Sequence, residues 1–131
     1  MARIEAFALA ALILLGNVPV QQAGVVAWVT DGDTFRLEGG ERIRIAGIDA
    51  PEVQRGHAKC RAELARGKAA TAQAIALLKG RRVELERVGR SYDRTVARVR
   101  LDGRDVAATL VGIGAARWWP RGKAKPDWCH G

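Results

Sequence analysis

The amino-acid sequence predicts one β-rich α+β domain. Three observations carry this. Short stretches of alternating apolar and polar residues are separated by Gly-containing turns. One alanine-rich segment with helical spacing interrupts them. The length, 131 residues with 48% hydrophobic residues, suits a single packed core and is too short for a multi-domain machine. Aromatic residues make up only 5%, so that core is expected to be mostly Val, Leu, Ile and Ala.

The elements follow in order. Residues 6–15 are an unbroken apolar run, preceded by Arg3 and broken by Gly16, Asn17 and Pro19. A membrane span needs about 20 apolar residues. A basic start, a short apolar stretch and a polar exit read as a secretory signal peptide over residues 1–23. A retained interfacial anchor is the alternative, since Glu5 and Gln21 depart from the ideal pattern. Residues 24–131 are then the folded domain, in the periplasm or outside the cell, with no stable membrane insertion. Residues 25–30 (V-V-A-W-V-T) are β-branched and aromatic, hence a strand. Asp31-Gly32 is a turn dipeptide, and residues 34–37 (T-F-R-L) return as the second strand of a hairpin. After Gly39-Gly40, residues 42–45 alternate strictly, so Ile43 and Ile45 face one side and Arg42 and Arg44 the other.

Residues 49–59 lose all periodicity and contain Pro51 and Gly56, a loop. Residues 62–79 are helical, with Leu64, Thr71, Ile75 and Leu78 on one face and alanines filling most of the rest. Gly67 is an internal cost of about 1 kcal/mol relative to Ala, and Gly80 is a stop. Val83 and Leu85 alternate with charges in a fourth strand, residues 89–93 form a polar loop, and residues 96–101 form a fifth strand ended by Asp102-Gly103. Asp105 is the N-cap of a short helix over residues 106–113, ended by Gly114. From Ala115 onward Trp118, Trp119 and Trp128 lie among basic residues, with Pro120 and Pro126 opposing regular structure. These tryptophans either cover the end of the barrel or stack bases, the first being favoured. Five short strands with a helix between the third and fourth are compatible with an OB-type barrel, as one arrangement among several.

Lys and Arg number 22 against 14 Asp and Glu, a net charge of +8. The excess points to a polyanionic partner, nucleic acid ahead of a membrane surface. Arg outnumbers Lys 17 to 5. Its planar fork matches a phosphate bidentately, although GC-rich coding also raises Arg. Cys60 and Cys129 both lie in the exported part. There such a pair is either a disulfide, worth about 4 kcal/mol in the chain-entropy model, or two reduced thiols. No C-x-x-C or H-x-x-x-H spacing supports a zinc site, so His57 and His130 read as surface residues.

Asp31-Gly32-Asp33-Thr34 sets two carboxylates around a glycine, and Asp49-Ala50-Pro51-Glu52 sets two more beyond the third strand. Arg44 precedes the second motif, and Arg94 follows Tyr92 and Asp93. Hard cations take carboxylate and carbonyl oxygens. A carboxylate free of the metal can accept a proton from water, and arginines stabilise charge on phosphoryl oxygens. Each motif alone is also an ordinary turn or a solvated strand face. Together they suit metal-assisted phosphodiester cleavage.

The series D-G-D-T, R-I-A-G-I-D-A-P-E and Y-D-R-x-x-A-R-V resembles the staphylococcal nuclease (thermonuclease-like) family, from about Val25 to Gly114. The resemblance implies a five-stranded OB-type barrel with two packed helices and a calcium-dependent nuclease cleaving DNA or RNA. It implies Asp33 and Asp49 as Ca²⁺ ligands, with the Ala50 backbone carbonyl. It implies Glu52 as general base, Arg44 and Arg94 as phosphate-binding arginines, Asp31 as a supporting carboxylate and Tyr92 near the nucleotide phosphate. Ala50 stands where the reference motif has Thr, and the stretch before Arg94 reads G-R-S-Y-D-R. The third, C-terminal helix of the reference fold is expected to be missing here. Exported relatives carry a cysteine before the first helix and a terminal W-C. The resemblance therefore implies a Cys60–Cys129 disulfide tying down the tail in place of that helix. The chain is expected to act as a monomer. The competing reading is a non-catalytic nucleic-acid-binding module on the same barrel.

Overall fold

The computed structural model describes residues 22–131. The predicted export segment lies outside the described residues as far as residue 21. Strand β1 (Ala23–Asp31) pairs antiparallel with β2 (Thr34–Leu37) and with β5 (Arg82–Ser91). β2 pairs with β3 (Arg42–Ile45), and β5 pairs with β6 (Arg94–Leu101). A parallel pairing of β3 with β6 closes the ring. Five strands thus form a closed sheet with no open edge between them, consistent with the expected OB-type α+β fold. Strand β4 (Ile48–Asp49) pairs separately with β8 (Arg117–Trp118), and β7 (Arg104–Asp105) extends the edge of β6.

Helix α1 (Arg61–Leu78) crosses from β4 to β5 and lies against β1. Helix α2 (Val106–Gly112) follows β7. The Asp105 side chain accepts from the Ala107 N–H at 3.1 Å, the expected N-cap. Phe35, Ile43, Ile45, Val83, Val99 and Leu110 fill the core, which is aliphatic apart from Phe35 and, at its margin, Trp128. No helix among the described residues is long and apolar enough to cross a membrane.

Two local expectations fail. The buried stripe of α1 is Glu63, Gly67, Ala70, Ala74 and Leu78. Of the predicted face only Leu78 is fully buried, and Ile75 is 40% exposed. Between Gly67 and Ala74 the helix packs so closely that small side chains fill the buried stripe, so periodicity in the large ones misled. Of residues 89–93 only Tyr92 and Asp93 form the turn. β5 continues through Ser91 past a bulge at Val88, and β6 begins at Arg94, because Gly89, Arg90 and Ser91 pair with Val96, Thr95 and Arg94.

Residues 115–131 carry no helix. Cys60 and Cys129 are joined by a disulfide, S–S 2.12 Å, which ties the tail to the start of α1.

Candidate active site

The hairpin between β1 and β2 shapes the first part of the site. The Asp31 carboxylate accepts from the Asp33 N–H at 3.0 Å, a side-chain-stabilised turn. The Asp33 carboxylate is itself buried. Its Oδ1 accepts from the Thr34 hydroxyl at 2.8 Å and its Oδ2 from the Ala50 N–H at 2.9 Å. One side chain therefore joins the first hairpin to the exit of β4. A Cβ on Gly32 would lie 2.7 Å from the Ala50 Cβ, so this junction closes only around glycine.

Asp49 sits on β4, where the ribbon with β8 sets its backbone opposite Arg117. It is 3% exposed. Its Oδ2 accepts from the Trp128 indole N–H at 2.8 Å and from the Lys125 ammonium at 3.2 Å. Arg44, on the polar face of β3, donates to the Ile45 carbonyl at 2.8 Å and stands 3.7 Å from Asp33 Oδ2. Arg94 opens β6. It reaches the Thr34 hydroxyl at 3.3 Å and the Ser91 hydroxyl and carbonyl at 3.1 and 3.4 Å. These acceptors are neutral and long, so an anion would displace them easily.

Asp31, Asp33, Asp49, Glu52, Arg44, Arg94 and Tyr92 all line one open cleft of about 820 Å³. Tyr92 stands at its rim, 94% exposed at the tip of the β5–β6 hairpin. Ala50 does not line the cleft: it is buried behind it, with its N–H on Asp33. Arg42 and Lys125 also line the cleft, so four basic side chains face four acidic ones. The crowding of carboxylates is felt. Burial, then the Asp33 charge, pushes the Asp31 carboxyl up to about 8. Burial, then Asp33, also raises the Glu52 carboxyl above its ordinary range.

Among the described residues no group of three or more His, Cys, Asp or Glu side chains could hold a metal ion by themselves. Asp33 and Asp49 are two hard oxygen donors, a type that suits Ca²⁺ when backbone carbonyl and water complete the shell. The Lys125 ammonium against Asp49 shows that a positive charge is accommodated beside this carboxylate. The donor chemistry therefore fits a hard cation. His57 and His130 are exposed, as expected, with His130 on Asp127 at 2.9 Å.

Four supporting residues were not anticipated. Glu63 is 3% exposed. Its carboxylate accepts from the Lys59 N–H at 2.8 Å and the Glu52 N–H at 3.3 Å, while Cys60 Sγ accepts from the Glu63 N–H at 3.3 Å. C-x-x-E at a helix start is a variant capping box, a signal the sequence did contain. Gly67 packs directly on the Glu52 peptide. Trp128 and Lys125 hold Asp49 from the tail. Of the tail tryptophans Trp128 is buried and its indole N–H serves the site, whereas Trp118 is exposed. The Trp128 carbonyl accepts from Arg66 at 2.7 Å, and the Arg117 guanidinium lies 4.2 Å from its ring centroid.

Trp128→Phe is expected to lower stability by about 1.5–3 kcal/mol, because it removes a donor from a buried charge while keeping most of the packing. This would read as a Tm lowered by roughly 5–15 °C in a thermal melt. Trp119→Phe loses an exposed bond to the Lys123 carbonyl and weakens the ring contact with Lys125 at 5.9 Å, and should shift the Tm far less.

The staphylococcal nuclease homologue family model matches residues 42–127. Arg44, Asp49, Ala50, Glu52, Cys60, Tyr92 and Arg94 fall inside that span, whereas Asp31 and Asp33 precede it. No curated protein matches the chain. With about two-thirds of its length matched and the closed five-stranded ring in place, the chain belongs to the staphylococcal nuclease homologue family.

Proposed function

We propose that this protein is an exported, calcium-dependent nuclease that hydrolyses phosphodiester bonds of DNA, RNA or both. The observation that carries the reading is the convergence of Arg44, Arg94 and Glu52 with Asp33 and Asp49 on one cleft. A protein that only binds nucleic acid gains nothing from carboxylates facing phosphate, since they repel it.

In this reading Asp33 and Asp49 would hold Ca²⁺, and the Ala50 carbonyl would join them only if its peptide turned toward the cleft. When bound, that ion neutralises a phosphate oxygen and orients the attack. Glu52 accepts a proton from the attacking water as the new P–O bond forms. Its raised pKa makes it a better proton acceptor near neutral pH than an ordinary surface glutamate. Arg44 and Arg94 donate to the phosphoryl oxygens as charge accumulates there. The P–O bond to the leaving oxygen then breaks, and that oxygen takes a proton from the Arg94 side of the cleft or from solvent. Asp31 supports Asp33 through the turn, and Tyr92 offers its exposed ring and hydroxyl to the nucleotide at the rim.

The disulfide supports export, because such bonds persist in oxidising compartments. Digestion of single- and double-stranded substrates tests the activity. Arg44→Lys is expected to lower kcat by roughly 10²-fold or more, since a point charge does not replace a bidentate fork. Wild-type rates in Arg44→Lys would remove that arginine from the mechanism.

A further inference from the structure

We propose that the outer face of β1–β3 is a second nucleic-acid-binding surface that carries the strand running out of the cleft. Trp28 is its base-stacking platform, and Arg36 and Lys79 are its phosphate contacts. The inference rests on the nuclease reading and extends it to the substrate beyond the scissile bond.

Trp28 is 60% exposed in the middle of β1, while its neighbours Val26 and Val29 point into the core. The barrel does not need this indole for packing. Trp28 stands directly opposite Arg36, and Arg36 directly opposite Arg42. Opposite residues on antiparallel strands share a face and lie about 5 Å apart, so the three side chains form one row spanning about 10 Å. Arg42 lines the cleft, which makes the row continuous with it. At the far end the Lys79 ammonium lies 5.4 Å from the Trp28 ring centroid.

The charges along this row favour a polyanion. Arg36 is exposed and makes no hydrogen bond or ion pair to another side chain among the described residues. Arg42 has an acidic partner, Asp93, at the cleft end. An exposed indole flanked by cations has the composition of a single-strand site, where bases stack and phosphates pair with Lys and Arg. The same face of an OB-type barrel, across its second and third strands, is suited to extended ligands.

The test is steady-state kinetics on a dinucleotide and on a 20-nucleotide single strand, in DNA and RNA form. Trp28→Ala is expected to raise KM for the long substrate by roughly 10-fold with kcat unchanged, and to leave kcat/KM for the dinucleotide unaltered. Trp28→Phe should restore most of the loss. The Arg36→Ser/Lys79→Ser pair should flatten the dependence of log KM on log salt by about 1.4, roughly 0.7 for each phosphate contact removed. Normal cleavage with an unchanged long-substrate KM overturns the second surface and leaves the nuclease reading standing. Equal losses on both substrates also overturn it, by showing that Trp28 acts through the fold. If the unsubstituted protein neither cuts nor binds nucleic acid, both readings fall together.

Discussion

Glu52→Gln is expected to lower kcat by roughly 10²–10⁴-fold while leaving the fold and nucleic-acid affinity in place, the magnitude typical of a lost general base. The substitution keeps the shape and removes only the proton-accepting charge. The Glu52 side chain makes no hydrogen bond or ion pair among the described residues; it is its backbone N–H that Glu63 holds. Its carboxyl is raised by burial and by Asp33. An acid whose pKa is higher folded than unfolded is one whose ionised form opposes folding, so that penalty is present at neutral pH and disappears on neutralisation. The Gln variant should therefore melt at the wild-type temperature or slightly above. Single-turnover cleavage, filter binding and a thermal melt separate the possibilities. A variant that loses activity and also melts much lower would mean that Glu52 supports the fold instead of the chemistry.

Gly67→Ala is expected to be destabilising and to cost most of the activity, against what helix propensity alone would say. In a helix interior Ala is better than Gly by about 1 kcal/mol. Here a Cβ would lie 2.1 Å from the Glu52 carbonyl oxygen, 2.6 Å from its carbon and 2.9 Å from the Pro51 carbonyl oxygen. All three atoms are backbone, so no side chain can swing away. Overpacking of this kind costs about 1–3 kcal/mol or more, which exceeds the propensity gain. Relief requires α1 to lift from the barrel or the backbone from Pro51 to Val53 to shift. The second route moves the proposed base, and a displacement of that kind costs roughly 10²-fold in rate. A raised Tm with wild-type activity would show that the close approach of α1 to Glu52 does not matter.

This glycine also shows where the sequence could be read and where it could not. Ile43 and Ile45 announce β3 and its inward face because a two-residue period is local. Asp105 announces α2 because a cap bonds within two residues. Asp31 and Asp33 announce a tight acidic turn for the same reason. Gly67 appears only as a defect in a helix, since its reason lies in the peptide of Glu52 across the packed interface. Residues 89–91 appear as loop because of Gly89 and their polarity, yet pairing with β6 draws them into β5. The indole N–H of Trp128 on Asp49 spans 79 positions, beyond any local pattern. The motif residues of the cleft were legible because short turns and strand ends hold them. The residues that fix those motifs in space come from α1 and the tail.

The tail is held to the rest of the domain by backbone pairing and hydrogen bonds as well as by the disulfide. β8 pairs with β4, the Trp119 backbone N–H donates to the Gly47 carbonyl at 2.8 Å, and the Arg117 guanidinium donates to the Asp127 and Gly131 carbonyls. The disulfide sits next to Trp128, which donates to Asp49. The covalent tie and the position of a proposed Ca²⁺ ligand are thus linked through one residue.

The chemistry proposed for the cleft needs both Ca²⁺ and Glu52. Its most direct test is a Ca²⁺ titration of DNA and RNA digestion by the wild-type protein, with a chelator control and Glu52→Gln in parallel. Cleavage is expected to rise with Ca²⁺, to stop in chelator and nearly to vanish in the variant at every Ca²⁺ concentration. Cleavage indifferent to both chelator and Glu52→Gln would contradict that chemistry.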